Sequence, residues 1–296
     1  MLNASFCYPS FETRDHSVLH CSLFIVHFMK PIVLKDLVAE KNAKLARRIP
    51  GFVYGWMNRL LHIRELNEII FGNIDKMGID FVVASLEYFK VSFDFQGTEN
   101  LPKEGRYIFA SNHPLGGFDG LILINGVHKF LGSSLFLVRD ELTKIPQLKE
   151  LFIPINKFGN QRSSINQINA AYETNKQVLL FPAGLASRRK HWVTRDLVWH
   201  KHFIQKSVEH KRDVIPVFMS GRNSSFFYFL SNFRQFIGIK LNIEMFLLPD
   251  EMFRQKGKKF SITFGKPIPW QTFDTSKTPA QWAEEVKKVV YELERK

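Results

Sequence analysis

The sequence predicts an α/β domain with a mostly parallel central sheet flanked by helices, preceded by an N-terminal helical region. Beyond Pro102, short apolar runs of strand length alternate with stretches of helical periodicity, the order expected when helices cross between parallel strands. Just before that point, Val91, Phe93 and Phe95 alternate with polar residues, as in a strand. Earlier residues show helical rather than strand periodicity.

The individual elements follow from the apolar runs and their punctuation. Strands are predicted over residues 106–111, 134–138, 151–155, 177–181, 214–219 and 260–264. Helices are predicted over residues 118–130, 164–174, 198–210 and 280–295. The chain shows no internal repeat and no low-complexity segment.

The region before the sheet is predicted to form three helices, over residues 34–48, 52–70 and 76–89. The first is strongly basic. The second carries an apolar stripe with helical spacing, formed by Val53, Trp56, Met57, Leu60 and Leu61. Because basic residues are interspersed with this stripe, it is typical of a helix on a membrane surface, although packing on its own domain is the alternative. We therefore predict a membrane-seating region over residues 29–90 and an α/β domain over residues 91–296.

Residues 1–28 differ from the rest of the chain. They contain no Lys and both cysteines, Cys7 and Cys21, and they are followed by Met29. We interpret them as a non-structural N-terminal extension, with Met29 as the working initiator. No apolar run reaches 18 residues, so no transmembrane helix is predicted. The two cysteines form no CxxC motif, which favours a reducing compartment.

The charge of the chain favours anionic partners. Lys and Arg number 41 against 28 Asp and Glu, a formal net charge of +13. Such an excess suits a lipid surface, a nucleic acid or an acidic carrier protein, although a merely basic soluble enzyme is the alternative. The 29 Phe residues indicate a large aromatic core, a membrane interface, or both.

The segment Tyr107–Gly120, YIFASNHPLGGFDG, carries the residues best suited to catalysis. A buried strand ends at Asn112-His113, a turn with Pro114 and two glycines follows, and Asp119 falls in the first turn of the next helix. Histidine titrates near neutral pH and can accept a proton from a hydroxyl, while a carboxylate on its other nitrogen fixes the tautomer. Backbone N–H groups of Gly116 and Gly117 are candidates to face an oxyanion. The alternative is a His capped by a helix N-terminal Asp, without catalysis.

At this point the sequence resembles the lysophospholipid acyltransferases of the 1-acylglycerol-3-phosphate type, and most closely their bacterial hemolysin-like, lyso-amino-lipid acyltransferase branch. NHPLGGFDG resembles the family's His-Asp box. Three more segments match in order: Phe152–Arg162, Leu179–Arg189 and Val214–Met219. The resemblance covers most of residues 90–270. It implies a glycerolipid-acyltransferase-like fold, catalysis by His113 and Asp119, and no cofactor or metal.

Two departures from the family pattern affect the site. The family box is HxxxxD, whereas five residues separate His113 from Asp119, and the Gly116-Gly117 turn must absorb the extra residue. In the third box, Ala183 and Ala186 replace the Glu and Arg that the family links to a glycerol phosphate. A lyso-amino-lipid with a carboxylate therefore fits as well as a lysophospholipid or better, although Arg188 or Arg189, slightly displaced, could still bind an anionic headgroup. The residues expected to contact substrate are Asn112, Gly116, Gly117, Asn156, Arg162, Gly184, Arg188 and Arg189.

Other groups carry weaker indications. His191, His200 and His202 lack a third ligand at a suitable spacing and are interpreted as structural or surface residues. The chain contains no GxSxG, GxxxxGK or GxGxxG motif. The Phe-rich segment 225–237 suits a membrane-facing helix, an acyl-channel lining or an ordinary core helix.

The sequence therefore predicts an O-acyltransferase that moves a fatty acyl group from a thioester, acyl-carrier protein or acyl-CoA, to the hydroxyl of a lyso-lipid in membrane lipid biosynthesis. We expect peripheral attachment to the cytoplasmic face of the inner membrane. The alternative from another class is a non-catalytic lipid-binding or membrane-perturbing, hemolysin-like protein. A nucleic-acid binder is a third option, which rests on charge alone. The predicted function includes no nucleic-acid partner.

Overall fold

The computed structural model describes residues 31–139, 145–155 and 161–295. The predictions made for residues 1–28 lie outside the described residues. The strands are β1 Ser92–Gln96, β2 Ile108–Ser111, β3 Ser134–Arg139, β4 Phe152–Ile155, β5 Gln177–Leu180, β6 Arg188–Lys190, β7 Val193–Arg195, β8 Val214–Met219 and β9 Lys259–Phe264. The helices are α1 Leu34–Lys41, α2 Ala43–Arg48, α3 Gly51–Leu60, α4 Ile63–Gly72, α5 Gly78–Tyr88, α6 Phe118–Leu131, α7 Gln161–Glu173, α8 His202–His210, α9 Ser225–Phe236, α10 Leu248–Phe253 and α11 Pro279–Glu292.

Seven strands form one sheet in the order β1-β9-β8-β2-β5-β3-β4. Neighbouring strands are parallel except β8 and β9, which are antiparallel. The predicted α/β fold with a mostly parallel sheet is therefore confirmed. The central strands β2 and β8 are buried along their whole length, as their continuous apolar runs require when helices cover both faces.

Alternate side chains of the central strands enter two separate cores. Phe109 and Val217 join a cluster beneath α5 and α6, whereas Ile108 and Val214 join a cluster beneath α8 and α11. The first cluster also contains Ile70 of α4. Helices α4 and α5 are thus packed into the same core as the sheet, and their hydrophobic residues help to stabilise it.

The N-terminal helices are more broken than their periodicity predicts. The helix predicted over residues 34–48 is interrupted at Asn42, whose backbone is extended and whose side chain accepts a hydrogen bond from Leu45 N at 3.0 Å. The helix predicted over residues 52–70 is interrupted at His62, which adopts φ +51°. His62 lies 3.1 Å from Asp250 Oδ1 and stacks on Phe253 with centroids 4.2 Å apart. This tertiary contact overrides the local helical pattern.

Two features near Leu179–Arg189, the segment that resembles the family's third box, also differ from prediction. The antiparallel hairpin β6–β7 was not predicted. The helix predicted over residues 198–210 begins only at His202, because Trp199 is held in a loop by hydrogen bonds from its backbone N to Glu284 and from its ring to Asp196. Within the described ranges, no helix is both long and apolar enough to span a membrane.

Candidate active site

The catalytic candidate His113 follows β2 at the carboxyl edge of the sheet, where open α/β sheets place their ligands. Its neighbour Asn112 anchors this loop to the end of β8. The Asn112 amide accepts a hydrogen bond from Met219 N at 2.7 Å and donates one to Met219 O at 2.9 Å. Asn112 was predicted to contact substrate, but both ends of its amide are engaged in fixing the loop.

His113 and Asp119 meet as the sequence predicts. The ring nitrogen Nδ1 of His113 lies 2.9 Å from Asp119 Oδ2, and both side chains are buried. The same carboxylate oxygen accepts hydrogen bonds from Leu115 N at 2.9 Å and Gly116 N at 3.3 Å. Asp119 stands in the first turn of α6, whose N-terminal dipole favours a negative charge. The pair therefore fixes Nδ1 as the protonated nitrogen and leaves Nε2 to accept a proton.

The imidazole orientation is further restricted by an aromatic ring from the third box. Phe181 stacks on His113 with centroids 3.9 Å apart and an interplanar angle of 20°. Phe181 is itself held edge-on by Phe136 of β3 at 5.2 Å. Among the described residues, Nε2 of His113 makes no hydrogen bond. The ring is thus held on one face and at one nitrogen, while Nε2 has no partner in the described part of the chain.

The extra residue in the His-Asp box is absorbed in the glycine turn. Gly116 adopts φ +85°, and a Cβ there would lie 2.7 Å from Leu248 Cδ2 and 3.0 Å from Ala186 Cβ. Gly117 has an extended φ of −178° and open space around it. Of the glycine amides predicted to face an oxyanion or to contact substrate, Gly116 N binds Asp119 and Gly184 N donates to Phe181 O at 2.9 Å. Among the described contacts, Gly117 N has no acceptor.

Gly116→Ala is expected to lower the free energy of unfolding by about 1–3 kcal/mol, because it combines a left-handed backbone with a steric clash against Leu248. Gly117→Ala is the matched control, since its φ of −178° lies outside the left-handed region and a methyl group there meets open space. Urea unfolding of both variants would test this. Equal midpoints for the two variants would contradict the assigned role of Gly116.

A second buried carboxylate, Asp196, holds the backbone on the other side of His113. Its Oδ1 accepts hydrogen bonds from His113 N at 3.2 Å and Ser187 Oγ at 2.5 Å, and its Oδ2 accepts one from Trp199 Nε1 at 2.9 Å. Burial raises the pKa of the Asp196 carboxyl, and these hydrogen bonds act in the opposite direction. Sequence reasoning missed Asp196, since no local spacing links it to a residue 83 positions earlier.

The third box supplies the wall beside this loop. Ser187 N donates to His113 O at 2.8 Å, so the first and third boxes are joined through their backbones. Ala183 and Ala186 are both buried. Their methyl groups stand where the family pattern has Glu and Arg, so these two positions offer a ligand no charge or hydrogen-bonding side chain.

The two arginines after the third box have different surroundings. Arg188 is buried, with Nη2 2.7 Å from Glu244 Oε1 and Nη1 2.5 Å from Ala186 O. Burial lowers the pKa of its guanidinium, partly offset by the charge of Glu244. Arg188 was predicted to contact substrate, but its donors are largely engaged within the protein. This arrangement favours Arg189 as the cation that meets a ligand.

Arg189 lies against Tyr228, which is linked by hydrogen bonds to the loop that carries His113. Its guanidinium carbon is 4.6 Å from the ring centroid of Tyr228, and its Nε is buried without a hydrogen-bond partner among the described residues. The Tyr228 hydroxyl accepts a hydrogen bond from Asn223 N at 3.1 Å, and Asn223 Nδ2 donates to Pro114 O at 3.3 Å. Asn223 Oδ1 is likewise buried without a described partner.

The remaining predicted site residues are only partly placed. Asn156 lies outside the described residues, and for Arg162 the structure describes only the backbone, in the first turn of α7. Within the described ranges, no group of three or more His, Cys, Asp or Glu side chains is arranged to hold a metal ion.

The chain matches known proteins over almost its whole length. A family model described as acyltransferase matches residues 36–296. The lyso-glycine lipid O-acyltransferase of Bacteroides thetaiotaomicron is 47% identical over 275 residues, 92% of this chain and 98% of that protein. The protein of the same name from Phocaeicola vulgatus is 44% identical over 265 residues, 88% of this chain and 95% of that protein.

A solved structure is also similar, at a greater distance. The crystal structure of the 1-acyl-sn-glycerophosphate acyltransferase of Thermotoga maritima aligns with a TM-score of 0.47 and 17% identity, over 96% of this chain and 99% of that one. A likeness this distant bears on neither the substrate nor the site of the present chain.

Proposed function

The chain belongs to the acyltransferase family, and we propose that it transfers a fatty acyl group from a thioester to the hydroxyl of a lyso-lipid. The observation that carries the mechanism is the contact of 2.9 Å between His113 Nδ1 and Asp119 Oδ2 at the carboxyl edge of the sheet. A pure binding protein has no need of a histidine whose tautomer is fixed in this way.

In the proposed reaction, Nε2 of His113 removes the proton of the acceptor hydroxyl as its oxygen attacks the thioester carbonyl carbon. Asp119 stabilises the resulting imidazolium through Nδ1. We propose that the tetrahedral oxyanion forms near the N-terminus of α6, where Gly117 N and the helix dipole favour negative charge. The carbon–sulfur bond then breaks, and the leaving thiolate takes the proton from His113. An ester and a free thiol result, with no acyl-enzyme intermediate.

The acceptor we propose is a lyso-amino-lipid whose headgroup ends in a carboxylate. Two relatives are named for a lyso-glycine lipid, and glycine linked through its nitrogen keeps a free carboxylate. The loss of Glu and Arg at Ala183 and Ala186 agrees with an acceptor other than a glycerol phosphate. Arg189, whose Nε lacks a protein partner, would bind the carboxylate bidentately while Tyr228 holds the guanidinium plane.

Arg189→Ala is expected to raise KM for a carboxylate acceptor about 10- to 100-fold, the effect of losing a charged hydrogen bond worth about 1.5–3 kcal/mol. Acyl transfer would be measured against acceptor concentration, using the lyso-lipid and its methyl ester. The wild type should prefer the acid, and the variant should lose that preference. Lys288→Ala, which removes an exposed charge on α11, is the matched control. An unchanged acid-to-ester ratio in Arg189→Ala would exclude this role.

The thioester donor and the cellular location belong to the same proposal. Acyl-carrier protein and acyl-CoA are the two donors considered, and the charge of +13 suits either of these anionic carriers. We place the enzyme peripherally on the cytoplasmic face of the inner membrane, within membrane lipid biosynthesis. The N-terminal helices contribute to this attachment through exposed Phe52 and Trp56 on α3.

The function is tested by presenting the purified chain with acyl-CoA or acyl-carrier protein thioesters and a panel of acceptors in mixed micelles. The panel contains lysophosphatidate, lysophosphatidylcholine and lyso-glycine lipid. Mass spectrometry would detect the new ester, which we expect with lyso-glycine lipid. Failure to acylate any acceptor, with lipid binding retained, would instead support a non-catalytic lipid-binding protein.

A further inference from the structure

Helix α9 exposes a row of phenylalanines to solvent. Phe226, Phe229, Phe233 and Phe236 are 59, 61, 46 and 87% exposed. Their spacing of three, four and three residues places them on one side of the helix, and Phe229 stacks on Phe233 with centroids 5.8 Å apart. We call these four residues the aromatic face. The opposite side of α9 is buried, so the solvent side of this helix carries a row of phenylalanines where a solvated surface helix carries polar residues.

The structures packed around α9 extend this exposed apolar surface. The hairpin β6–β7 contacts α9 through Asn232 Nδ2, which donates to Arg189 O at 3.1 Å. At the hairpin turn, His191 and Trp192 both have positive φ, 47° and 67°, and Trp192 is 91% exposed. Leu60, at the end of α3, packs against the small core cluster that contains Phe227 and Tyr228 of α9. Exposed apolar side chains on these neighbouring segments include Phe52, Trp56, Val193, Ile237, Leu241 and Phe246.

The charges on the same segments are all positive. Residues 184–195 and 220–243 contain no Asp or Glu. The next acidic residues, Asp196 and Glu244, are buried and hydrogen-bonded. Exposed cations include Lys190 beside the hairpin turn and Lys240 after α9. Aromatic side chains combined with cations and without exposed carboxylates complement a lipid surface that carries negative charge.

This surface lies next to the proposed acceptor site. Tyr228, on the buried side of α9, holds Arg189 and is joined through Asn223 to Pro114 in the catalytic loop. An acceptor whose tails remain in the lipid and whose headgroup reaches Arg189 would thus enter along α9. An apolar face at the entrance avoids exposing the acyl chain to water.

We infer that the aromatic face of α9, together with Trp192 at the hairpin turn, inserts into an anionic lipid interface and admits the lyso-lipid from there. This inference rests on the proposed function for the identity of the lipid that enters. It assigns the main contact to α9 rather than to the region of residues 29–90. Insertion of this surface requires only that the chain binds lipid, so the insertion can be tested separately from catalysis.

The test measures sedimentation of the full chain with large vesicles of phosphatidylcholine, with and without phosphatidylglycerol. Phe229→Ser with Phe233→Ser should weaken binding to the anionic vesicles at least about tenfold, since the burial of one Phe contributes about 1.5–3 kcal/mol. Lys190→Gln with Lys240→Gln should weaken it less, and only when phosphatidylglycerol is present. Ile165→Ser with Val208→Ser removes exposed apolar side chains from α7 and α8 and should leave binding unchanged.

Acyl-transfer activity distinguishes a loss of lipid delivery from general damage to the protein. The phenylalanine double variant should lose most acyl transfer to lyso-lipid embedded in vesicles, yet retain it with acceptor dispersed in detergent. Vesicle binding equal to wild type in this variant would overturn the inference. A second result would also overturn it: light scattering shows a wild-type dimer that binds no vesicles, and the same substitutions dissociate that dimer. If wild-type binding depends on α9 but no acceptor is acylated, the surface stands and the proposed function fails.

Discussion

Replacing His113 with alanine is expected to lower the rate constant for acyl transfer by at least about 100-fold, the lower end of the range for loss of a general base. The proton of the acceptor hydroxyl then has no acceptor at the site, since Asp119 is buried behind the imidazole. The loss should fall on kcat, with KM for both substrates little changed, because no binding contact of the acceptor is assigned to the ring. Steady-state kinetics in mixed micelles would measure both constants.

His202→Ala provides the control for this substitution, because His202 is exposed at the start of α8. Added imidazole should partly restore the activity of His113→Ala, since the substitution leaves a cavity between Phe181 and Asp119. Restoration would not follow from a variant that is merely misfolded. Turnover close to that of the wild type in His113→Ala would overturn the proposed mechanism.

Glu244→Gln is expected to lower the free energy of unfolding by about 3–5 kcal/mol, the range for breaking a buried ion pair from one side. Glu244 is fully buried, and its Oε2 accepts a hydrogen bond from Arg234 Nε at 2.6 Å. Its Oε1 lies 2.7 Å from Arg188 Nη2 and 3.0 Å from Arg234 Nη2. A neutral amide leaves two buried guanidinium groups without their counter-charge. Urea denaturation would measure the change.

The effect of Glu244 should also depend on pH in a defined direction. Burial alone would raise the pKa of its carboxyl, but the hydrogen bond from Arg234 and the charges of Arg188 and Arg234 outweigh burial and lower it. A carboxyl whose pKa is lower in the folded state stabilises the fold above its unfolded pKa and loses that contribution as the pH falls through the folded value. The stability difference between wild type and Glu244→Gln should therefore be constant near neutrality and shrink below about pH 4.5.

Glu68→Gln is the appropriate comparison, because Glu68 pairs with Arg64 on an exposed surface. An exposed pair contributes about 0–1 kcal/mol, so this variant should unfold close to the wild type. A Glu244→Gln protein as stable as Glu68→Gln would show that the buried pair does not hold the structure around α9.

The features that the sequence predicts correctly are those whose cause is local. The apolar runs of β2 and β8 predict buried parallel strands because both faces of such strands are covered. His113 and Asp119 can be paired from the sequence because one loop and one helix turn separate them. Their contact at 2.9 Å despite the longer spacing follows from the freedom of Gly116 to adopt a positive φ.

The features that escape prediction depend on partners far along the chain. His62 breaks an otherwise regular helical pattern to reach Asp250, 188 positions later. Arg188 finds Glu244 at a separation of 56 residues, and the sequence around either residue gives no sign of the other. The helix predicted to begin at residue 198 begins only at His202. The apolar spacing continues the helical pattern before His202, but hydrogen bonds from Trp199 to Asp196 and Glu284 hold that stretch in a loop.

The ion pairs beneath α9 have a consequence for a helix that rests in lipid. In water, apolar contacts hold a helix onto its domain because detachment would expose them. Lipid tails remove this penalty, since hydrocarbon solvates an apolar side chain as well as a protein core does. Coulombic attraction, by contrast, grows as the local dielectric constant falls. If α9 enters the interface, Glu244 with Arg188 and Arg234 would keep it attached under the conditions in which packing alone would release it.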